Sequence, residues 1–386
     1  MRLRRGWGVK VTVVGAGMVG STTALRLLED RVADELAVVD VIGGLAEAVA
    51  LDLAQSAPVR GHSIRIVGGS NYGPTEGSDL VIVTAGLPRK PGQSRADLLA
   101  TNGEIVRQVA ERVAASSPDA VLLVVTNPLD EMTTLAWRVS GLPGNRVMGM
   151  AGALDTARFR YFVADELETT PDRVDALVLG SHGETMVPLP RLARVEGRPL
   201  ADLLAPERIE ALVERTRDAG AEIVALLQRG SAWFAPSAAI CEMAGAIARD
   251  EHRMVSACAF LEGQYGISGV FLGVPVRLGR RGVEEVVELP LKVDELDALR
   301  AAAETVRSRA SELDVPAPAD RPRPEHTVAG DLRLSSRVRR AAERVLWERG
   351  WPPSAEELDD LARAVLGRLA GSNRPVGSPD ATASDK

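Results

Sequence analysis

The segment VVGAGMVG, residues 13–20, constrains this chain more than any other. Gly15, Gly17 and Gly20 form a G-x-G-x-x-G pattern between an apolar run, Val11–Val14, and a stretch of helical periodicity, Met18–Glu29. In that position Gly15 permits a tight turn, Gly17 lets the backbone approach a pyrophosphate, and Gly20 lets a helix pack closely on a strand. The backbone at Ala16, Met18 and Val19 completes a cradle whose helix N-terminus offers unpaired N–H groups to phosphates. A second apolar run, LAVVD, ends in Asp40 twenty residues after Gly20, where a carboxylate can accept hydrogen bonds from an adenosine ribose. Taken singly, these are turn glycines and a strand-end acid; taken together, they predict a dinucleotide site. Asp40 would repel a ribose 2′-phosphate, and residues 41–44 offer no Arg or Lys to receive one, so NAD is expected over NADP.

Around this motif, short β-branched runs alternate with helical stretches from residue 11 to 150. Strands are expected at Val11–Val14, Leu36–Val39, Ile64–Val67, Leu80–Thr84 and Val121–Val125, and amphipathic helices at Met18–Glu29 and Asp97–Ala115. Runs such as VLLVV are apolar throughout, as strands covered on both faces must be. The fold class is therefore α/β, with a Rossmann-type doubly wound parallel sheet and functional loops at the strands' carboxyl ends. A content of 36 glycines and only 3% aromatic residues fits that class better than an aromatic-packed sandwich. Beyond residue 151 the alternation loosens into a second α+β domain, expected over 151–314, with strands at Ala176–Leu179, Gly269–Val276 and Val286–Leu289 and a helix at Arg208–Gln228.

Residues 315–327 are Pro-rich and read as a stiff linker. Two apolar faces, Val338 to Leu346 and Leu358 to Leu369, then predict a C-terminal helical appendix, a hairpin over 328–370, with Ser354 and Glu357 as a capping box. The last sixteen residues, 371–386, lack apolar periodicity and are expected to be disordered. A net charge of −7 repels nucleic acid and anionic membrane, so neither is expected as a partner. Cys241 and Cys258 lack the spacing of a disulfide framework or metal site and read as buried thiols in a reducing compartment. The basic N-terminus is followed by an apolar run too short for a signal or a span, and a cytoplasmic location is expected.

The remaining polar motifs are individually plain. Arg89, Lys90 and Arg95 place three cations within seven residues of GLPRKPGQSRADLL, Gly86–Leu99, where Gly and Pro suggest a hinged lid or simply a solvated loop. In VVTNP, Val125, Thr126 and Asn127 stand at a strand end beside Pro128, and Asn127 could be an ordinary turn former. In ALDTARFR, Asp155 and Arg158 share one helix face, as an ordinary ion pair would. In LVLGSHGETMVPLP, His182 follows a strand directly and is flanked by Gly183; alone, it could be structural.

Order changes their weight. VGAGMVG, a strand-terminal Asp, PRKPGQSR, VTNP, LDTARFR and GSHGETMVP, in that sequence, resemble the lactate/malate dehydrogenase family over residues 9–313. The resemblance implies reversible oxidation of (S)-malate to oxaloacetate by hydride transfer to NAD. It makes His182 the acid/base group and Asp155 the carboxylate that orients it and raises its pKa. Arg158 would grip the substrate C1 carboxylate through paired hydrogen bonds, and Arg95 would polarise the reacting carbonyl as the lid closes. Arg89 matches the position that pairs with a second carboxylate and so selects a dicarboxylate. Asn127 would contact substrate and nicotinamide, while Asn102, Val125 and Thr126 would lie along the cofactor. Two departures are noted: Ser181 stands where Gly is common, and Glu184 where Asp is expected. The segment Gly230–Ile240, GSAWFAPSAAI, resembles the small-residue wall facing substrate.

Lactate or another 2-hydroxyacid remains the alternative substrate. A non-catalytic NAD-binding protein should lack His182 or the arginines, and an NAD-dependent glycosidase needs a Cys/His metal site, so no metal is expected. The family implies a homotetramer or homodimer. Residues 321–350 carry eight Arg against four Asp or Glu, and the appendix is expected to pack on its own oligomer or, alternatively, to dock another protein.

Overall fold

The structure, a computed structural model, describes residues 8–88, 95–228, 230–313 and 315, with the side chains of Arg95 and Ala96 outside the description. Arg89 and the expected helical appendix with its capping box and tail thus lie outside the described residues, as does all but Val315 of the linker.

The first half reads β1 (Lys10–Val14), α1 (Met18–Glu29), β2 (Glu35–Val39), α2 (Leu45–Gln55), a single turn α3 (Ala57–Arg60), β3 (Arg65–Gly69), β4 (Leu80–Val83), α4 (Arg95–Ser116), β5 (Val121–Val124), α5 (Leu129–Ser140) and β6 (Val147–Gly149). These six strands are parallel in the order β3-β2-β1-β4-β5-β6, a Rossmann-type doubly wound sheet whose order reverses between β1 and β4. The strand period of two sorts the core: Val11, Val13, Leu80, Ile82 and Leu123 join Ala24 and Leu27 of α1 in one cluster. Val14, Val81, Val83, Leu122 and Val124 meet Val106, Val109 and Val113 of α4 and Met132 and Leu135 of α5 in another. Both faces are therefore covered, which is why β4 and β5 are apolar at every position. Each fully buried Val or Leu contributes roughly 1.5–3 kcal/mol of burial free energy before the entropy cost of folding.

The second half reads α6 (Gly152–Glu166), β7 (Val174–Asp175), β8 (Val178–Gly180), β9 (Met186–Pro188), β10 (Arg194–Val195), β11 (Arg198–Pro199), α7 (Pro206–Leu227), α8 (Phe234–Ala248), β12 (Arg253–Glu262), β13 (Ser268–Gly279), β14 (Gly282–Val286) and α9 (Val293–Ala310). Residue 150, where the first domain is expected to end, falls between β6 and α6. The sheet nevertheless runs on: β12 pairs with β6 at Cys258 and Gly149, and the β12–β13 hairpin leads to β8 and β9. Ile240, Met243 and Ala244 of α8 sit in the same cluster as α1, which explains why that helix is apolar nearly all round.

Several expected boundaries move. Of the strand expected at Ala176–Leu179 only Val178 and Leu179 are strand, in β8 of the main sheet, while the two residues of β7 just before it join a small sheet with β10. The strand expected at Val286–Leu289 instead ends at Val286. Its partner beyond that point is Pro275, which accepts the Val287 N–H at 2.8 Å but has no N–H to return. The helix expected at Arg208–Gln228 opens two residues earlier, on Pro206, and ends at Leu227 because Gln228 takes the left-handed conformation. The Gly86–Leu99 segment is not loop throughout: α4 begins at Arg95, since within the segment no Gly or Pro follows Gly92 to hold the helix off.

Candidate active site

The carboxyl ends of β1 and β4 frame the glycine turn. Gly15 has φ +101°, and a Cβ on Gly20 would lie 1.8 Å from the Gly15 carbonyl oxygen, so α1 can meet the turn only through glycine. Thr84 at the end of β4 donates its hydroxyl to the carbonyls of Val14 and Gly15 at 3.1 and 3.0 Å, fixing the turn from beneath. Gly17 caps α1 with no side-chain hydrogen bond, and a Cβ there would meet nothing within 4 Å. The first N–H groups of α1 thus have no capping side chain, as a pyrophosphate site requires. Asp40 follows β2 and accepts the Ala16 N–H at 2.7 Å and the Ile42 N–H at 2.9 Å, which brings a carboxylate to the rim of this cradle. The residues present fit NAD.

The root of the expected lid is tied down by Asn102, which is 1% exposed on α4. Its amide donates to the carbonyls of Leu87 at 3.2 Å and Asn127 at 2.7 Å, and its oxygen accepts the Leu87 N–H at 2.8 Å. Asn102 therefore holds the segment after β4 against the end of β5, with its polar atoms engaged by protein. Val125 donates its N–H to Val83 at 2.9 Å, and the Thr126 hydroxyl donates to Ala85 at 2.7 Å, leaving Asn127 exposed just beyond. Arg95 opens α4.

Across the sheet, His182 lies in the turn between β8 and β9, and its Nδ1 is 2.8 Å from Oδ2 of Asp155, in the first turn of α6. Asp155 is buried, so its carboxylate, an acceptor only, draws the proton to Nδ1 and leaves Nε2 as the exchangeable site. Burial alone would push His182 down, but the charge and hydrogen bond of Asp155, with Asp130 behind, outweigh burial and the opposing Arg158, and the pKa rises above its ordinary value. Arg158 reaches the other oxygen of Asp155 at 3.4 Å. Its side chain is 13% exposed, burial lowers its pKa against the pull of Asp155, and its Nε is buried without a protein acceptor. Among the described residues, the expected His182, Asp155 and Arg158 are thus brought together in one cluster.

A lactate/malate dehydrogenase NAD binding domain model matches residues 9–149, and a lactate/malate dehydrogenase alpha/beta C-terminal domain model matches residues 152–313. The chain belongs to the lactate/malate dehydrogenase family. Among curated family members it is 50% identical over 305 residues to the malate dehydrogenase of Salinibacter ruber, which covers 79% of this chain and 97% of that one. The solved structure of malate dehydrogenase from Salinibacter ruber superposes with a TM-score of 0.75 at 49% identity, covering 78% of this chain and 97% of that chain. A lactate dehydrogenase from Cryptosporidium parvum, solved with lactic acid and nicotinamide adenine dinucleotide, gives 0.76 at 36% identity over 82% and 99%. Both substrate classes of the family are built on this fold, so fold alone does not choose between them.

Of the two departures from the family pattern, Glu184 is exposed, whereas Ser181 is buried and donates its hydroxyl to Asp130 at 2.7 Å. Sequence reading passes over Asp130 and Thr84; an acid just after Asn127-Pro128 reads as a helix-start residue, and a Thr at a strand end carries no signal. In the expected wall, α8 starts at Phe234, and Ser237 accepts from Arg26 Nε at 2.9 Å and donates to the Phe234 carbonyl at 2.8 Å. Both cysteines are free and buried. Among the described residues, three metal-type side chains, Asp250, His252 and Glu284, gather near the β13–β14 turn, where Asp250 already accepts the Arg280 N–H and Glu284 meets Arg281.

Proposed function

We propose that this chain is an NAD-dependent malate dehydrogenase that interconverts (S)-malate and oxaloacetate, with His182 as general acid/base. The observation that carries the reading is the 2.8 Å His182–Asp155 pair with the half-buried Arg158 beside it. The Gly15–Gly20 turn and Asp40 would hold NAD, which would supply the hydride acceptor or donor. His182 Nε2 takes the hydroxyl proton of malate, and Asp155 stabilises the imidazolium that results. Arg158, with an unmet Nε, binds the C1 carboxylate, and its planar fork does so in a geometry Lys could not copy. Arg95 polarises the carbonyl oxygen, Asn127 contacts substrate beside the cofactor, and Arg89 pairs with the second carboxylate. Residues 1–150 form the NAD-binding domain and 151–314 the substrate domain. The approximately 50% identical relatives named malate dehydrogenase support the dicarboxylate reading over lactate. The enzyme works as a homotetramer or homodimer in the cytoplasm; no helix among the described residues is long and apolar enough to cross a membrane.

Two substitutions test the specificity elements. Arg89→Gln is expected to lower the ratio of kcat/KM for oxaloacetate to that for pyruvate by about 10²-fold, because truncating one partner of a dehydrated charge pair costs about 2–5 kcal/mol. An unchanged ratio from steady-state NADH oxidation assigns the second carboxylate to another residue. Asp40→Ala is expected to raise the NADPH/NADH ratio of kcat/KM by about tenfold or more, since like charges brought together cost several kcal/mol. A ratio that stays at the wild-type value removes Asp40 from cofactor choice.

A further inference from the structure

A second carboxylate lies beside the His182 loop and has no role in the reaction as derived above. Asp130 is 2% exposed in the first turn of α5, three residues after Asn127. Three donors converge on it from two other parts of the chain. The Ser181 hydroxyl donates to Oδ2 at 2.7 Å, the His182 main-chain N–H donates to the same oxygen at 3.0 Å, and the Cys258 thiol of β12 donates to Oδ1 at 3.1 Å. Burial pushes the Asp130 pKa up, while the Ser181 and Cys258 hydrogen bonds pull it down and neighbouring Glu131 adds to the rise. A buried carboxylate answered by neutral donors is an expensive thing to keep for packing alone. Its geometry ties the start of the helix that follows Asn127 to the turn that carries His182.

We propose that Asp130 is a positioning residue for the reaction: held by Ser181 and Cys258, it anchors the His182 main chain and so fixes the imidazole relative to Asn127 and the substrate. This rests on His182 being the acid/base group. The groups facing His182 are Asp155 and Arg158 from α6 and Asp130 from α5, with exposed Glu184 on its own loop. Ser181 then has a purpose a glycine could not serve, because its hydroxyl satisfies the carboxylate oxygen that also receives the His182 N–H.

The test compares wild type, Ser181→Ala and Asp130→Asn in kcat, KM, the pH dependence of kcat/KM and Tm, using whichever 2-oxoacid the wild type reduces. Ser181→Ala is expected to lower kcat by about tenfold, the equivalent of one hydrogen bond to a charged group lost where it positions the acid/base, with KM within about twofold. Asp130→Asn removes a charge that favours the imidazolium, so the alkaline limb of 2-oxoacid reduction should move to lower pH and kcat should fall further. If Asp130→Asn does not fold, Ser181→Ala decides alone. A Ser181→Ala enzyme with lower Tm but unchanged kcat and pH limb overturns the proposal and leaves Asp130 a packing element. A wild type that reduces no 2-oxoacid overturns instead the functional reading on which the proposal stands.

Discussion

Replacing His182 with glutamine is expected to lower kcat for oxaloacetate reduction by about 10⁴-fold, the upper end of what a positioned acid/base supplies, while NADH affinity stays within about twofold. Glutamine can still hydrogen-bond but cannot carry a proton between pH 5 and 9, so the loss isolates proton transfer from binding. The same pair fixes the pH behaviour. His182 is raised above its ordinary value: burial opposes the shift, and Asp155 and then Asp130 more than reverse it. With His182 as the proposed acid, oxaloacetate reduction needs the imidazolium and is expected to be sustained at low pH and lost as pH rises through that raised pKa; malate oxidation needs the neutral ring and should show the mirror image. Asp155→Asn removes the main charge that raises it. The alkaline limb of reduction should therefore move down in pH, and kcat should fall because the ring loses the partner that sets its tautomer. Stopped-flow binding of NADH alongside the pH profile of kcat/KM checks both parts, and an unmoved limb in Asp155→Asn contradicts the assignment.

Arg158→Ala is expected to lower kcat/KM for oxaloacetate by about 10³-fold or more, as two charge-assisted hydrogen bonds of about 1.5–3 kcal/mol each are lost. Arg158 is largely but not fully buried, spends only a 3.4 Å contact on Asp155 and keeps an Nε with no protein acceptor. A carboxylate arriving there meets a desolvated cation, which strengthens the attraction beyond its value in water. Arg158→Lys should recover only part of the loss, because an ammonium is a point charge without the planar fork. Arg158 also holds the His182 pKa down against Asp155. Its removal should thus move the alkaline limb of reduction up in pH, the direction opposite to Asp155→Asn. If Arg158→Ala keeps its kcat/KM, measured by steady-state NADH oxidation, the C1 carboxylate binds elsewhere.

What was legible in the sequence follows from what is local. The Gly15–Gly20 turn, Asp40 and the helix α1 depend on neighbours within one βαβ unit, and α1 occupies the same residues, Met18–Glu29, that periodicity assigns it. His182, Asp155 and Arg158 stand out only through the order of motifs, because no spacing rule brings a turn after β8 against α6, 27 residues away. Asp130 was illegible for the same reason: its partners lie 52 and 128 residues along the chain, and its own surroundings, NPLDE, look like any acidic helix start. The edges that moved did so through tertiary pairing. β7 and β8 part because they belong to different sheets, and β14 stops where Pro275 cannot return a hydrogen bond.

The proposed reaction is the reduction of a dicarboxylate through His182. Steady-state NADH oxidation by the wild-type enzyme with oxaloacetate and with pyruvate measures that most directly. A kcat/KM for oxaloacetate exceeding that for pyruvate by about 10³-fold or more is the predicted result, since a monocarboxylate would leave the guanidinium proposed to pair with the second carboxylate without its partner. Equal rates with the two acids would contradict it, leaving the fold and the hydride chemistry but not the substrate.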